Sequence, residues 1–523
     1  MRSSTCDTNI KPVFTLDREP AGSIVSESAV TPGRTAAIRL RKQMLIVWFI
    51  LLSYAVGFVC FYPRALTNFD EVSYIRQAVT FTNGSTTVDT IDPFTGSHQK
   101  THPSDYPPGT SALMTPFVWV GGWRGAYVFE LLALMGCVLF TARWITESGG
   151  SPLFALIILG YPPTLVMART GMSDVPSACL VAAGLWLFWP DQGQTAWRRF
   201  GAGLIAGASL SLREPNLILF AIFFAGALLR RERNLAALVL GGVAGVATRL
   251  LSAAIVYGNP LFVKNHGYSF TGLYASQNLF MYLTALLLLV PAGLLCAFFY
   301  RGSRWPELFS TTLSFTLLFV LYDYNASPSS GLKQWVLAPR FFIPLLPILA
   351  VAMAHTIPAW WQRVLRSISI QHRRTWWIFG RGAVMTWFAG VAVMGFAANR
   401  YHAIWGNNHE QIVRAVYSNT DSSHPVLTDI PATVKFLNEL HGRRIEGDLM
   451  GMSEDDIHRL LDRYGAVNVV FFDRDDSDYW VQKAQHNQAV MDTLTKQHPA
   501  TIALQQRFPG LGVLQIWKIA GRS

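Results

Sequence analysis

Long apolar stretches separated by short polar segments occupy most of the chain up to residue 400. Eleven of them follow one another, at 43–62, 126–142, 151–168, 175–189, 202–213, 216–229, 235–256, 279–299, 306–322, 341–356 and 377–397. An apolar helix of about 20 residues can cross the ~30 Å hydrocarbon core of a bilayer, and several of these stretches are shorter. The pattern predicts a polytopic α-helical membrane protein with about 11 spans over residues 43–400.

The stretch from 202 to 229 allows two interpretations. A single long helix would invert every later loop and place the basic segment 363–381 outside, against the usual charge distribution of membrane proteins. Pro215 would also disrupt such a helix. We predict a hairpin with arms of ~20 Å, at 1.5 Å per residue, which keeps the apex 213–216 below the outer surface. Arg213 then either forms a structural ion pair with the adjacent Glu214 or faces a polar cavity shared with the carboxylates.

The character of the chain changes at both ends. Residues 1–42 are polar and rich in Ser and Thr, which predicts a disordered cytoplasmic tail. Beyond residue 400 the pattern predicts a small soluble α/β domain over 401–523. Its strand-like runs are 425–428, 467–472, 501–503 and 512–519, and its helical patterns are 432–440 and 453–464. Because no glycine-rich phosphate loop or evident catalytic triad lies there, we predict a cap or recognition role.

Composition supports a membrane protein. Of the 523 residues, 51% are hydrophobic and 14% are charged, whereas a soluble protein has about 25% charged residues. The net charge of +11 does not indicate nucleic-acid binding, because the basic residues cluster in short loops between apolar stretches. The five cysteines show no Cys-x-x-Cys spacing and predict neither a disulfide framework nor a zinc site.

Charge alternates between the two sets of loops. Clusters of Arg occur on one set, and carboxylates gather on the other, at Asp70, Glu71, Asp89, Asp92, Asp105, Asp174 and Asp323. Since cytoplasmic loops carry the Lys and Arg excess, the acids are predicted to be extracytoplasmic. An odd number of spans places the C-terminal domain on that same side. We therefore expect a multi-pass protein of a bacterial inner (cytoplasmic) membrane.

Carboxylates at the edge of a bilayer are functional candidates, because exposing them to lipid costs free energy. Asp70 and Glu71 lie just beyond the first span, and Asp174 lies in a later short loop with Arg169. A metal site is the alternative use of such acids. The first outer loop also contains Asp89, Asp92, Asp105, His98 and His102, but their spacing matches no tight ligand pattern. We predict a solvated loop with no metal ion and no cofactor.

Several motifs resemble a known family. Asp70-Glu71-x-x-Tyr74 follows the first span, Tyr106-Pro-Pro lies later in the same loop, and Asp174-x-Pro follows the third span. In this order they resemble the GT-C superfamily of polyprenyl-phosphate-sugar-dependent glycosyltransferases, which includes protein O-mannosyltransferases and lipid A aminoarabinose transferases. The segments 338–347 and 257–268 are similar to later segments of such proteins. Tyr106 departs from the pattern, since a His or Lys often precedes the Pro pair.

The resemblance implies a GT-C-like fold and sugar transfer, with inversion, from a polyprenyl-phosphate donor to a hydroxyl of a lipid, glycan or protein. Asp70 would be the general base. Glu71 would orient the acceptor or hold a helix end, and Asp174 would bind one of the sugars with Arg169 nearby. Membrane lipid is the other expected partner, and nucleic acid is not expected. Tyr74 and Tyr106 belong to the predicted substrate-binding set.

The leaving phosphate requires cations. Arg340 is the first candidate because it lies at a helix entrance, and the other candidates are Lys333, Arg213, Lys264 and His266. Groups placed where charge develops in the transition state make a large contribution to catalysis. The alternative role for Arg340 is simple anchoring, in which its side chain reaches out to lipid phosphate.

Two other functions remain open. A lipid or sugar transporter or flippase would also be polytopic with buried charges, although such proteins usually contain internal repeats, and none is evident here. In a membrane-anchored receptor the soluble domain would carry the function and the acids near residue 70 would be dispensable. Truncation near residue 400 separates the receptor from the enzyme, because only the receptor should lose all activity.

Overall fold

Helices form almost all of the chain before the C-terminal sheet in this computed structural model. The structure describes residues 32–92, 94–189, 195–263, 269–290, 292–324, 338–367, 370–428, 446–449, 452–473, 478–508 and 512–521.

The helices are α1 (Pro32–Cys60), α2 (Phe69–Thr82), α3 (Gly109–Gly121), α4 (Ala126–Glu147), α5 (Ile157–Gly160), α6 (Pro162–Met167), α7 (Asp174–Phe188), α8 (Ala196–Ser209), α9 (Asn216–Leu229), α10 (Leu235–Tyr257), α11 (Ala275–Leu289), α12 (Gly293–Phe299), α13 (Trp305–Leu321), α14 (Leu346–Ser367), α15 (Ile370–Asn419), α16 (Glu454–Tyr464) and α17 (Asp478–Gln497). Short 3₁₀ helices cover Gly122–Gly125, Pro152–Leu156 and Ala338–Leu345. The strands are β1 (Val88–Ile91), β2 (His98–Thr101), β3 (Val426–Thr428), β4 (Glu446–Asp448), β5 (Ala466–Asp473), β6 (Ala500–Phe508) and β7 (Gly512–Ala520).

The predicted polytopic helical membrane fold is confirmed. Five helical segments within the described residues are long and apolar enough to span a membrane, or six if the bent pair α11–α12 counts as one span. Three shorter apolar helices, α7, α9 and α13, accompany them. Large apolar side chains such as Phe49 and Val56 on α1 are exposed, as is expected of a lipid-facing surface. The total of 11 spans stays a prediction.

The two ends of the membrane region differ from the expected boundaries. Helix α1 begins at Pro32, so the last part of the predicted disordered tail is helical. At the other end, α15 continues without a break through residue 400. Its Ile412 and Val416 pack against Val470 and Phe472 of the C-terminal sheet. The division of the chain at 400 therefore stays a prediction, and a single helix joins the two parts.

The break between α8 and α9 confirms the predicted hairpin. Helix α8 ends at Ser209 and α9 begins at Asn216, and proline at 215 suits the start of a helix because it lacks an N–H. The Asn216 side chain donates to the Ser209 carbonyl at 3.2 Å and accepts from Ser177 of α7 at 2.8 Å. These bonds fix the connection that carries Arg213.

Proline also shapes two segments near the site. The apolar stretch 151–168 is not one helix but is interrupted at Tyr161, where a new helical turn starts with Pro162. The Tyr161 hydroxyl donates to the carbonyl of Pro339 at 2.6 Å. Pro339 belongs to the 3₁₀ segment that precedes α14. The interruption thus anchors the segment that contains Arg340.

Helices α8 and α10 are in close contact through glycine. Gly203 and Gly207 on α8 face Gly241 and Gly245 on α10. Within each helix, three residues lie between the two glycines. A Cβ at Gly207 would lie 2.5 Å from the backbone nitrogen of Val246, closer than real side chains approach. Small residues at this spacing let membrane helices pack backbone to backbone.

The C-terminal region contains a five-stranded mixed sheet of order β4-β3-β5-β7-β6. The four strand-like runs of the sequence correspond to β3, β5, β6 and β7, and the helical pattern 453–464 corresponds to α16. A capping box at Ser453 and Asp456 starts α16. The predicted helix at 432–440 lies outside the described residues, and neither β4 nor α17 was predicted.

The hairpin of β1 and β2 connects the first outer loop to this domain. Phe94, between the two strands, packs against the apolar core formed by α16 and the sheet. Arg463 of α16 donates to the Phe94 carbonyl at 2.6 Å, and Arg459 lies 5.4 Å from the centre of the Phe94 ring. The loop that carries Tyr106 is therefore held by the membrane helices and by the C-terminal domain.

We expect Gly207→Val to lower the stability of the protein, because its side chain would force α8 away from α10. Overpacking of this kind typically costs about 1–3 kcal/mol. The melting temperature of the purified protein in detergent, followed by intrinsic fluorescence, measures the effect. Gly242→Val is the matched control, since a Cβ at Gly242 meets no atom within 4 Å. Equal melting temperatures for the two variants would show that the close contact is unimportant.

Candidate active site

The predicted acidic pair opens helix α2. Asn68 caps the helix, and its side-chain oxygen accepts the backbone N–H of Asp70 at 3.0 Å. Asp70 and Glu71 occupy the first helical turn, where the helix dipole favours negative charge. Adjacent residues on a helix point in different directions, and here the Asp70 side chain is 27% exposed whereas Glu71 is fully buried.

Asp70 makes two side-chain contacts, one at each oxygen. Arg340 Nη2 lies 3.3 Å from Oδ2, and the Tyr106 hydroxyl donates to Oδ1. The structure therefore brings together Asp70, Tyr106 and Arg340 from three distant parts of the chain. A carboxylate held between a cation and a phenol is well oriented, and its partial exposure leaves it accessible to a substrate.

Tyr106 is itself fixed in place. Its ring lies 4.6 Å from that of Tyr74, measured between centroids, and its carbonyl accepts from the Tyr257 hydroxyl at 2.5 Å. Gln77 of α2 donates to the same hydroxyl at 2.9 Å. Burial, followed by the nearby Asp70 charge, raises the pKa of Tyr106 above its ordinary value, so the phenol stays neutral and remains a donor.

Glu71 holds structural elements together. Its Oε2 accepts from the backbone N–H and the hydroxyl of Thr67, at 2.7 and 3.1 Å. Its Oε1 accepts from the Tyr127 hydroxyl at 2.8 Å and the Gly171 N–H at 3.2 Å. Burial raises the pKa of the Glu71 carboxyl, and these four hydrogen bonds oppose that rise. These four hydrogen bonds fit the predicted role of Glu71 in holding a helix end, and its role in orienting an acceptor stays a prediction.

Asp174 and Arg213 form a second acid–arginine pair. Asp174 is the first residue of α7 and is buried, and Arg213 Nη1 contacts its Oδ1. The guanidinium carbons of Arg213 and Arg340 lie 5.7 and 5.5 Å from the centre of the same ring, Phe341. Of the two alternatives for Arg213, the contact with Asp174 fits the one in which Arg213 meets the site carboxylates, since the adjacent Glu214 contacts Arg249 at 3.4 Å.

The segment Gly171–Asp174 connects these groups. After Gly171, which contacts Glu71, the Met172 sulfur lies 3.7 Å from Arg340 Nη1 and 3.7 Å from the Asn68 side-chain nitrogen. The next residue, Ser173, accepts from the Tyr74 hydroxyl at 3.1 Å. Successive residues of this segment therefore contact different parts of the site, and the segment ends at Asp174.

One predicted site residue, Arg169, contacts a different part of the structure, and three more lie outside the described residues. Arg169 is fully buried and directed elsewhere, with Nη1 donating to Asn399 at 3.0 Å and Nη2 donating to the Phe61 carbonyl. Its contacts connect α15 with the end of α1, and none is to a site acid. The other three, Lys264, His266 and Lys333, lie outside the described residues.

Sequence reasoning missed three residues of the site. Phe341 lies near both arginines, Tyr257 fixes the Tyr106 backbone, and Glu130 is fully buried on α4 close to Asp174 and Glu71. Glu130 could have been found, because it is the only acid inside the apolar stretch 126–142. Phe341 and Tyr257 lie in the family-like segments 338–347 and 257–268, but their residue types alone do not indicate these contacts.

No metal-ligand group is evident in the part of the chain that the structure describes, since no three His, Cys, Asp or Glu side chains come together there. Asp89 and His98 contact each other at 2.9 Å on the exposed hairpin. Asp92 accepts from the backbone N–H groups of Phe94 and Thr95, at 2.7 and 3.0 Å. The chemistry available to the central cluster is therefore proton transfer by a carboxylate and binding of an anion by two arginines.

Comparison with known proteins supports the fold. No protein-family model and no curated protein sequence matches the chain. Two solved structures of ArnT from Cupriavidus metallidurans do match, each with a TM-score of 0.55. In the apo state ArnT is 13% identical over 93% of this chain and 98% of its own. Bound to undecaprenyl phosphate it is 14% identical over 90% of this chain and 98% of its own.

A third solved structure, the apo oligosaccharyltransferase of Archaeoglobus fulgidus, matches with a TM-score of 0.50 and 11% identity. The match covers 82% of this chain and 69% of that one. ArnT, a lipid A aminoarabinose transferase, and this oligosaccharyltransferase are both GT-C proteins. At these identities the likeness establishes the fold, and the resemblance to the GT-C superfamily is confirmed at that level.

We expect Glu71→Gln to destabilise the protein, because an NH₂ group would replace an oxygen that accepts two hydrogen bonds. An unsatisfied buried donor typically costs about 1–3 kcal/mol. A lower melting temperature of the purified protein is the expected result. Asp89→Asn is the control, since Asp89 is exposed and its pair with His98 contributes little. A melting temperature equal to that of the control would contradict the positioning role of Glu71.

Proposed function

We propose that the protein is a membrane glycosyltransferase that moves a sugar from a polyprenyl-phosphate donor to an acceptor hydroxyl. The observation that carries the proposal is the pairing of Asp70 with Arg340, beside Asp174 and Arg213, around Phe341. The site thus contains a partly exposed carboxylate close to two cations. The GT-C fold supports the proposal, since ArnT has been solved with undecaprenyl phosphate bound.

The proposed reaction is a single displacement at the anomeric carbon. The Asp70 carboxylate takes the proton of the acceptor hydroxyl as the acceptor oxygen bonds to that carbon. The bond from the anomeric carbon to the phosphate oxygen breaks, and its electron pair stays on the polyprenyl phosphate. Arg340 and Arg213 stabilise the charge that develops there. Attack opposite the leaving group inverts the configuration, and no covalent enzyme intermediate forms.

The remaining site residues position the reacting groups. Tyr106, supported by Tyr74, orients Asp70 through its hydroxyl. Glu71 fixes the start of α2 against Gly171, and Asp174 holds Arg213 beside Phe341. Lys264, His266 and Lys333 stay predicted phosphate ligands.

The loop charges support a location for this reaction. The acids of the site belong to the loops that are poor in Lys and Arg, which in membrane proteins face away from the cytoplasm. We place the protein in a bacterial inner membrane with the active site and the C-terminal domain on the extracytoplasmic side. The acceptor is a lipid, a glycan or a protein exposed on that side.

The proposal predicts that Asp70→Asn lowers the rate of sugar transfer about a hundredfold or more, because it removes the base and keeps the side-chain size. Purified protein is incubated with radiolabelled polyprenyl-phosphate sugars and membrane extracts, and labelled products are separated and counted. Wild-type protein should transfer label, and the labelled product identifies the acceptor.

Asp89→Asn is the control, since it removes an acid of the same loop that lies outside the cluster. Equal transfer by wild type and Asp70→Asn would show that Asp70 is not the base. If the wild-type protein transfers no sugar from any donor tested, the glycosyltransferase proposal is wrong, and lipid flipping without a sugar donor becomes the activity to measure.

A further inference from the structure

Each oxygen of the Asp70 carboxylate has a partner, Tyr106 at Oδ1 and Arg340 at Oδ2. A general base must direct a lone pair at the acceptor hydroxyl, and Arg340 lies against the oxygen that Tyr106 does not contact. We propose that Arg340 is a latch that leaves Asp70 for the donor phosphate, so that Asp70 becomes able to accept a proton only after the donor has bound. This inference rests on the proposed glycosyltransferase function.

The contact between Arg340 and Asp70 is suited to exchange. It is a single contact of 3.3 Å between Nη2 and Oδ2, and 27% of the Asp70 side chain is exposed. Water competes for the Asp70 carboxylate more than for Asp174, whose side chain is 3% exposed, and this weakens the Asp70–Arg340 pair relative to the Asp174–Arg213 pair. A phosphate group offers arginine two parallel hydrogen bonds, which is a stronger and more specific arrangement.

The second pair is not suited to exchange. The Asp174 side chain is only 3% exposed, so losing Arg213 would leave a buried carboxylate without its cation. Breaking a buried ion pair is far more costly than breaking an exposed one. We therefore assign the exchange to Arg340. Arg213 remains paired with Asp174, and its guanidinium lies near the Phe341 ring.

The other contacts of Arg340 allow its guanidinium to reorient. Nη1 lies 3.7 Å from the Met172 sulfur, which is a weak acceptor, and the guanidinium carbon lies 5.5 Å from the Phe341 ring centre. Its Nε is buried and has no hydrogen-bond partner among the described residues. Arg340 thus has unused donor capacity that a phosphate oxygen could satisfy.

The charged and titratable groups around the latch come from several elements. Asp174 on α7 and Asp70 on α2 both act electrostatically on Arg340, as do Tyr324, beyond α13, and Tyr106. When Arg340 moves to the phosphate, Tyr106 still orients Asp70 through Oδ1, and Oδ2 becomes free. Donor binding would then precede proton removal, which gives the reaction a compulsory order.

A double-mutant cycle on ligand affinity tests the latch. Full-length wild type, Asp70→Asn, Arg340→Gln and the double variant are placed in lipid nanodiscs, and their affinities for undecaprenyl phosphate are measured. If Arg340 must leave Asp70 to bind phosphate, Asp70→Asn should bind about tenfold more tightly than wild type, a difference of about 1.4 kcal/mol. In the Arg340→Gln background, Asp70→Asn should leave the affinity for undecaprenyl phosphate unchanged.

Two controls complete the design. Asp89→Asn changes the net charge by the same amount on the exposed β1–β2 hairpin, where Asp89 contacts His98, and should leave the affinity unchanged. Arg340→Lys keeps a cation at the latch position, so Asp70→Asn should still tighten binding in that background. If Arg340→Gln does not fold, Arg340→Met, which also lacks a cation, replaces it in the cycle.

Each other outcome overturns the latch. Equal or weaker binding by Asp70→Asn would show that Arg340 does not have to leave Asp70. Tighter binding that persists in the Arg340→Gln background would indicate plain repulsion between Asp70 and the phosphate. If the wild-type protein does not bind undecaprenyl phosphate at all, the proposed function and the latch are both wrong. In the other two outcomes only the latch is wrong.

Discussion

Charge compensation inside an apolar helical bundle is the constraint on which this structure depends. A carboxylate or guanidinium that is removed from water needs a partner of opposite charge, because an isolated buried charge is too costly to keep. The site meets this requirement with Asp70–Arg340 and Asp174–Arg213, two pairs that share the ring of Phe341. Asp70 and Asp174 each have their own cation, whereas the buried Glu71 is satisfied by four neutral hydrogen-bond donors.

The same constraint governs the other end of α7. There Glu232 contacts both Arg199 and Arg304, and the guanidinium carbons of these arginines lie 4.5 and 4.9 Å from the centre of the Phe188 ring. Arg199 and Arg304 are buried, although both come from loops that the sequence marks as basic and cytoplasmic. Part of the positive charge from which the orientation was predicted therefore also joins the start of α8, the start of α13 and the segment after α9 to one another.

The two clusters differ in their access to water, and this difference separates a structural network from a reactive one. The Arg199–Glu232–Arg304 cluster is shielded by aromatic rings, whereas Asp70 retains partial exposure and is oriented by Tyr106. Tyr106 is held in turn by Tyr257 and by a loop whose Phe94 docks on the C-terminal domain. The proposed site thus combines aromatic side chains that are held in place with one partly exposed acid, Asp70.

The sequence alone determined the features that follow from local properties. Hydropathy predicted the helical membrane fold, alternation predicted four strands of the C-terminal sheet, and Pro215 predicted the break between α8 and α9. Polarity placed Asp70 and Glu71 just beyond the first span, and motif order predicted the GT-C fold. Tertiary structure alone decided which of these acids is reachable and what each one contacts. Asp70 contacts Arg340, 270 residues away in sequence. Arg169 contacts Asn399, 230 residues away, rather than Asp174 in its own loop. The physical reason is that hydropathy and helix capping act over a few neighbouring residues, whereas the pairing of charges between helices depends on how those helices pack.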